Sequence, residues 1–198
     1  MHSTYEPLSE ALYHRPTLEL AQALLGCHLI NETDEGLTAG SIVETEAYLG
    51  VVDKAAHSFG GRHTKRTAIM FETPGHVYTY SMHTHTLINV VSGEKGNPEA
   101  ILIRAIEPYA GVDLMKQRRS VPKFTNLTSG PGKLTKAMGI TMNDYGKTFT
   151  KPPLYIAKGT SHAHISQGKR IGIGGAGEAK EYPWRFWVTG NKFVSPGK

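Results

Sequence analysis

The chain has 198 residues, of which 39% are hydrophobic and 20% are charged, so it is long enough to bury a core and too apolar to be disordered. No run of about 18 apolar residues occurs, which excludes a membrane-spanning helix, and the first residues lack the pattern of a signal peptide. The single cysteine, Cys27, rules out an internal disulfide and fits a buried apolar position in a reducing, cytoplasmic setting. The net charge of +5 favours a polyanionic partner.

The first quarter of the chain predicts two short helices followed by two strands. Residues 18–25 carry apolar side chains at helical spacing, with Thr17 as a candidate N-terminal cap and Gly26 as the end of the helix. The other elements predicted here are a shorter helix and two strands, over residues 9–13, 27–31 and 37–48.

The second of these strands carries two carboxylates, Glu44 and Glu46, and an aromatic side chain, Tyr48, on one face. They share a face because side chains two apart on a strand point the same way. A half-exposed edge strand with solvated acids is the ordinary interpretation of this pattern. The alternative is that this face lines a functional site, and the strand alone does not decide between the two.

A long basic segment and a β-hairpin follow. Residues 51–68 are polar and include a Gly-Gly-Arg sequence, and a loop of this length is either solvated or functional. The hairpin is predicted from alternating strands over residues 76–80 and 87–91, with its tip within residues 81–85.

The second half of the chain predicts a mixed set of elements. Residues 100–106 form an apolar strand with one charge, Arg104, which we expect to end at Pro108. Two helices and two strands are predicted over residues 111–119, 134–138, 154–158 and 186–188. Residues 172–177, Gly-Ile-Gly-Gly-Ala-Gly, lack the strand–turn–helix context of a dinucleotide site and indicate a tight turn or a close backbone approach. Strands in runs with inserted helices favour an α+β fold with a largely antiparallel sheet.

Arg104 needs a partner if its strand is buried. Arginine is rarely buried without an anion, so the sequence predicts that Arg104 pairs with a carboxylate or a phosphate, with Glu44 and Glu46 as the candidates. The alternative is an edge strand from which Arg104 reaches water.

Aromatic and histidine side chains allow two further interpretations. His83 and His85 lie on one side of a strand and are a candidate metal pair, although no third ligand stands at a recognised spacing. The alternative is a pocket that stacks a flat ring between aromatic side chains while a carboxylate acts as the base. The side chains concerned are Tyr48, His57, Tyr78, Tyr80, His83 and His85.

Nine short motifs occur in a characteristic order over roughly residues 10–195: VETEAYLG, AAHS, GGR, MFETPGHVYTY, NVVS, LIRAIEP, SGPGKL, GIGGAGE and RFWV. In order and spacing they resemble the alkyladenine (3-methyladenine) DNA glycosylase family. The resemblance implies a single domain over residues 1–198, built on a curved, mostly antiparallel β-sheet with peripheral helices and a protruding β-hairpin. It also implies a monofunctional enzyme without lyase activity, metal or cofactor. Such an enzyme acts as a monomer on double-stranded DNA that contains damaged purines, at the nucleoid in a bacterium or in the nucleus of a eukaryote.

The resemblance also implies roles for individual residues. Glu46 matches the general base that activates a water, and Arg104 matches the arginine that helps to hold that water or the adjacent phosphate. The walls that stack on the flipped base and hydrogen-bond to it match Tyr48, His57 and Tyr80. Asn89 matches an asparagine that rejects the exocyclic amine of guanine. Positions near the DNA backbone or groove match Arg62, Thr64, Met70 and Lys133. The basic loop over residues 60–66 and Lys133 would neutralise phosphates and make DNA binding sensitive to salt.

The hairpin departs from the family pattern. Where the family has an intercalating tyrosine this chain has His83, and the segment from Tyr80 to Asn89 is one residue shorter. Because a wedge is normally apolar or aromatic, His83 and Met82 are both candidates for it.

Other functions fit the same residues. A protein that recognises damaged DNA without cutting it would share the basic loop and the wedge, and a metal-dependent hydrolase would be built on His83, His85 and Glu46. A covalent lyase is a further alternative in principle. For a glycosylase, the expected substrates are 3-methyladenine, 7-methylguanine, hypoxanthine and ethenoadenine, which the sequence does not rank.

Overall fold

The computed structural model describes residues 5–161 and 164–197, and within them it contains eight strands and four α-helices. The strands are β1 (His28–Thr33), β2 (Gly36–Tyr48), β3 (Val77–Met82), β4 (His85–Ser92), β5 (Glu99–Ala110), β6 (Leu154–Ala157), β7 (Ile165–Gly168) and β8 (Arg185–Val188). The helices are α1 (Glu10–Tyr13), α2 (Thr17–Ala23), α3 (Val112–Arg118) and α4 (Pro131–Met138). No helix among these residues has the length and hydropathy needed to cross a membrane.

All strand pairs are antiparallel, and β2 is the centre of the sheet. The strand order is β3-β4-β5-β2-β1-β6, and β8 pairs with β2 beyond the end of β1, with β7 beside it. The sheet curls into a half-barrel, with the helices at its periphery and the β3–β4 hairpin at one end. This confirms the predicted α+β fold with a curved, mostly antiparallel sheet.

Alternation along the central strands gives the sheet two different faces. On β2, Val43 and Ala47 face an apolar core that is covered by α2 and α4, whereas Glu44, Glu46 and Tyr48 face the opposite side. The neighbouring strands alternate in the same register and add further side chains to that opposite side, namely Tyr78, Tyr80, Leu87, Asn89, Leu102 and Arg104. The candidate site is therefore built on the face that the helices leave uncovered.

The predicted cap of α2 was wrong. Thr17 is the first residue of the helix, Pro16 precedes it, and no side-chain cap is formed. The Thr17 hydroxyl lies 2.9 Å from the hydroxyl of Ser92 and also donates to the carboxylate of Glu99. A local capping preference was overridden because β4 and β5 bring better partners to the same hydroxyl.

The sheet is also longer than predicted. β5 continues through Pro108 to Ala110, so the expectation that Pro108 ends the strand was wrong. Pro108 lies opposite Gly40 beside an irregularity in the pairing with β2, where the missing N–H is tolerated. The sequence did not predict β7, which is short and mostly exposed and has β8 as its only partner strand among the described residues.

The hairpin turn has an unusual backbone. His83 and Thr84 have φ angles of 47° and 69°, so both occupy the left-handed region that a two-residue type I′ turn requires. The hairpin rests on α4, where the Thr135 hydroxyl donates to the Thr86 carbonyl at 2.6 Å. A Cβ at Gly132 would lie 2.7 Å from the Cβ of His85, so His85 packs against the start of α4. This gives His85 a packing role in place of the ligand role that the metal alternative needed.

We expect Thr79→Val to increase the free energy of unfolding by about 1 kcal/mol, because the buried hydroxyl of Thr79 has no hydrogen-bond partner among the described residues. Valine keeps the shape of threonine and suits a strand. Urea unfolding would measure the change. Thr45→Val is the matched control, since Thr45 is equally buried but its hydroxyl donates to the Ala21 carbonyl at 2.8 Å. Losing this hydrogen bond should lower the free energy of unfolding. A similar loss in both variants would contradict the prediction.

Candidate active site

A cavity of about 290 Å³ opens on the uncovered face of the sheet. Its floor and walls come from β2, β3, β4 and β5, from the loop after β2, and from the glycine-rich segment before β8. The predicted site residues that line it are Tyr48, His57, Tyr80, Asn89, Arg104, Met70 and Met82. Side chains predicted from five separate motifs are thus brought to one place.

Glu46 lies beneath this cavity and is fully buried. Its Oε1 accepts the N–H of Ile171 at 2.7 Å and lies 3.2 Å from Nη1 of Arg104, while Oε2 accepts the Tyr48 hydroxyl at 2.8 Å. Burial raises the pKa of Glu46, and the nearby charge of Arg104 opposes that increase. The carboxylate is therefore a stronger base than an exposed glutamate, and Arg104 favours its ionised form.

Glu44 is equally buried but differently placed. Its Oε1 accepts from Nε of Arg104 at 2.9 Å, from Nε of Arg185 at 2.7 Å and from the Ser195 hydroxyl at 2.8 Å. Its Oε2 accepts the Ser195 N–H at 2.7 Å. With these donors filling its lone pairs, Glu44 is a structural anion that holds two arginines. The prediction that Arg104 pairs with a carboxylate or a phosphate is confirmed for the carboxylates, since Arg104 contacts both of the candidates, Glu44 and Glu46.

Three aromatic rings form one wall of the cavity. The rings of His57 and Tyr80 meet edge to face, with centroids 4.6 Å apart, and Tyr78 lies 5.6 Å from Tyr80. Nδ1 of His57 is 2.7 Å from the hydroxyl of Tyr78. Burial, together with the charges of Arg66 and Arg62, lowers the pKa of His57 to about 4, so this imidazole is neutral at neutral pH.

Tyr48 is held in place by a buried ion pair, Arg170 with Asp53, which the sequence did not predict. The guanidinium of Arg170 lies 4.6 Å from the Tyr48 ring centroid, and its Nη2 donates to Oδ1 of Asp53 at 2.8 Å. Both members of this ion pair are fully buried. Arg170 immediately precedes Ile171, so the ion pair also holds the N–H that binds Glu46. Arg104 was identified because its apolar strand indicated burial, and a buried arginine needs an anionic partner. Arg170 follows the same rule, but no apolar strand surrounds it, so its burial was not apparent from the sequence.

The glycine-rich segment is part of the cavity wall. Gly172, Ile173 and Gly175 line it, and no atom lies within 4 Å of where a Cβ would stand on Gly174 or Gly175. Of the two predicted alternatives, a tight turn or a close backbone approach, the structure shows a turn, with a φ angle of 79° at Gly172 and open space beside Gly174 and Gly175.

Besides Tyr80, two predicted site residues, Met82 and Asn89, stand on the strands of the hairpin, and His83 lies in its turn. Asn89 is almost fully buried and donates Nδ2 to the carbonyl of Tyr78 at 3.0 Å, which fixes its amide against β3. Met82 is 45% exposed and lines the cavity, whereas His83 is exposed in the turn. The two wedge candidates are thus adjacent, with Met82 nearer to the cavity.

The remaining predicted DNA contacts lie outside the cavity lining. Arg62 and Thr64 are exposed on the basic loop. Lys133, in α4, donates to the side chain of Asn126, and burial, with the charge of Arg119, lowers the pKa of its amine. The cationic side chains of Arg62 and Lys133 therefore lie outside the cavity lining.

The three residues of the metal alternative are not brought together. Glu46 is buried beneath the cavity, whereas His83 and His85 lie on the exposed hairpin. Within residues 5–161 and 164–197, no cluster of three or more His, Cys, Asp or Glu side chains could hold a metal ion.

Comparison with known proteins gives one consistent result. The family described as methylpurine-DNA glycosylase matches residues 11–192. A relative from Bacillus licheniformis is 61% identical over 98% of this chain and 100% of its own length. Relatives from Oceanobacillus iheyensis and Bacillus subtilis are 59% and 60% identical, each over 96% of both chains. All three relatives carry the name "Putative 3-methyladenine DNA glycosylase".

Proposed function

Because the chain belongs to the methylpurine-DNA glycosylase family, we propose that it is a monofunctional base-excision repair enzyme that hydrolyses the N-glycosidic bond of damaged purines. The family membership confirms the resemblance seen in the nine sequence motifs. The observation that carries the proposal is Glu46, a buried carboxylate paired with Arg104 directly beneath an aromatic cavity. The proposed substrates are 3-methyladenine, 7-methylguanine, hypoxanthine and ethenoadenine.

The reaction begins with base flipping, because a purine inside the duplex cannot reach the cavity. The flipped base stacks against the rings of Tyr48, Tyr80 and His57, and cationic bases gain a further attraction to these faces. Water then attacks C1′ of the sugar as the C1′–N bond breaks, and the bonding electron pair leaves with the purine. Asn89, held against β3, rejects the exocyclic amine of normal guanine.

Glu46 acts as the base that accepts the proton of the attacking water. Its Oε1 is occupied by Ile171 and Arg104, while Oε2 accepts one hydrogen bond from the described residues, that of Tyr48. Oε2 is therefore the oxygen with capacity for a water. Arg104 favours the ionised form of this buried carboxylate, which burial alone would disfavour. A base positioned in this way raises the rate by a factor of about 10²–10⁴.

DNA binding involves the hairpin and the basic rim. Met82 or His83 fills the gap left by the flipped base, and the exposed loop at Arg62 and Thr64, with Lys133, contacts the backbone. We propose a single domain that acts as a monomer on double-stranded DNA without a cofactor. The relatives named above come from bacteria, which favours action in the cytoplasm at the nucleoid over a nuclear setting.

Base release from duplexes with a single lesion tests the proposal. Each of the four damaged purines is placed in the same sequence context, and free base and strand nicking are measured separately. We expect free base without nicking, unaffected by a chelator. Binding without release would favour a protein that recognises damage without cutting. Release that a chelator abolishes would favour a metal-dependent hydrolase. A protein–DNA adduct trapped by borohydride would favour a covalent lyase.

We expect the rate constant of base release to fall as the pH is lowered through the pKa of Glu46. Because burial raises this pKa, the carboxylate is protonated, and inactive as a base, at a pH where an exposed glutamate is still ionised. His57 adds no second limb at neutral pH, since its pKa is about 4. Single-turnover release of 7-methylguanine across pH measures the profile. A rate that stays flat down to the pKa of an exposed glutamate would contradict this role of Glu46.

A further inference from the structure

Arg66 lies against the aromatic wall although it does not line the cavity. Its Nε donates to the Tyr78 hydroxyl at 3.3 Å, and its guanidinium carbon is 4.9 Å from the ring centroid of Tyr80. Its Nη2 lies 3.0 Å from Nδ1 and 2.7 Å from Nε2 of His57. One atom this close to both ring nitrogens lies over the face of the imidazole. Arg66 therefore contacts three rings of the wall, which its assignment to a phosphate-binding loop did not anticipate.

The charge of Arg66 is not neutralised locally. Arg66 forms no ion pair with a carboxylate in the part of the chain that the structure describes. His57 is neutral at neutral pH, and burial raises the pKa of Tyr78 and that of Tyr80, so both hydroxyls stay protonated. The other ionisable groups near the wall are Arg62 and Lys54 from residues 51–68, Tyr145, whose ring centroid lies 6.4 Å from that of Tyr78, and Tyr48, Glu46 and Arg104 at the cavity. A base stacked on this wall would thus lie beside an uncompensated positive charge.

We propose that Arg66 is a charge-based specificity determinant that favours release of neutral damaged purines over cationic ones. The proposal rests on the proposed glycosylase function. When the C1′–N bond breaks, its electron pair goes to the purine, so a neutral purine such as hypoxanthine becomes negative, and a guanidinium beside the ring stabilises that charge. 7-Methylguanine is cationic before cleavage and neutral after it. Arg66 repels the cationic base when it is bound, and this repulsion only disappears as the base becomes neutral. Compared with the damaged DNA free in solution, Arg66 therefore does not stabilise the transition state for release of 7-methylguanine.

The test compares hypoxanthine with 7-methylguanine in one duplex context at subsaturating enzyme. Arg66→Gln should lower the ratio of kcat/KM for hypoxanthine to that for 7-methylguanine by about three- to tenfold, the range expected for a charge near the protein surface. Lys65→Gln is the matched control, because it removes the same charge from the neighbouring exposed position, and it should leave the ratio unchanged. Arg66→Lys keeps the charge and should keep most of the ratio.

A second measurement does not depend on activity. An NMR titration of His57 should show its pKa rising from about 4 toward the ordinary range in Arg66→Gln but not in Lys65→Gln. Equal losses on both substrates in Arg66→Gln, as for a phosphate contact, would overturn the proposal. If the wild-type protein released neither base, the glycosylase function itself would fail, and this inference with it. An unchanged ratio with an active wild type would overturn only the role of Arg66.

Discussion

Glu46→Gln is expected to reduce the rate constant of base release by about 10²–10⁴-fold while leaving damaged DNA bound. Glutamine has the shape of glutamate but cannot take a proton from water at neutral pH. The Ile171 N–H can still donate to the amide oxygen of the glutamine, and the amide NH₂ can donate to the Tyr48 hydroxyl. The positions of the residues around the pocket should therefore stay the same. Arg104 loses one carboxylate but retains Glu44 as its partner. The chemical step is therefore affected far more than the binding surface.

Single-turnover base release with enzyme in excess isolates the chemical step, and DNA affinity is measured separately on the same duplex. Glu107→Gln provides a charge-matched control, because Glu107 is exposed on the neighbouring strand β5. The control should release base at the wild-type rate. A Glu46→Gln protein that bound DNA normally and released base within threefold of the wild-type rate would show that another group activates the water.

Local rules were sufficient for part of the site. The two-residue repeat of a strand placed Glu44, Glu46 and Tyr48 on one face, and the scarcity of unpaired buried arginine pointed from Arg104 to both acids. These inferences held because each depends on one strand or on one pairing between long, strongly apolar strands. The largely antiparallel sheet was predictable from the runs of strands, whereas its curvature was expected only from the family resemblance.

The rest depends on contacts that no local pattern encodes. Ser195 reaches Glu44 across 151 positions of sequence, and Ile171 reaches Glu46 across 125. The glycine-rich segment and the last residues of the chain fold back onto β2, so the different surroundings of Glu44 and Glu46 arise only in the folded protein. Thr17 and Pro108 show the converse, since tertiary contacts overrode a preferred cap and a preferred strand end. A local pattern therefore identified two acids but could not assign a role to the first.

That first acid gives the clearest contrast with Glu46. Glu44→Gln is expected to lower the free energy of unfolding by about 3–5 kcal/mol, because it removes the anion that Arg104 and Arg185 share. Both arginines are almost fully buried, with 6% and 8% of their surfaces exposed, so neither can turn to water without disrupting its surroundings. Glutamine offers one acceptor where the carboxylate offered two, and its NH₂ group faces donors. Arg104 keeps Glu46, whereas Arg185 keeps no carboxylate partner among the described residues.

Urea unfolding measures this loss, and the double variant Glu44→Gln/Arg185→Gln tests its cause. Removing Arg185 as well should recover part of the stability, since an unpaired buried cation costs more than the absence of the pair. Base release by folded Glu44→Gln should stay within about tenfold of wild type, because Glu46 retains its own donors. The opposite result, normal stability with base release abolished, would assign the chemistry to Glu44 and leave Glu46 as the structural anion. Glu44 and Glu46 lie on one strand face, are equally buried and are both bound by Arg104. The two substitutions distinguish them, because Glu44→Gln should mainly lower stability and Glu46→Gln should mainly lower the rate of base release.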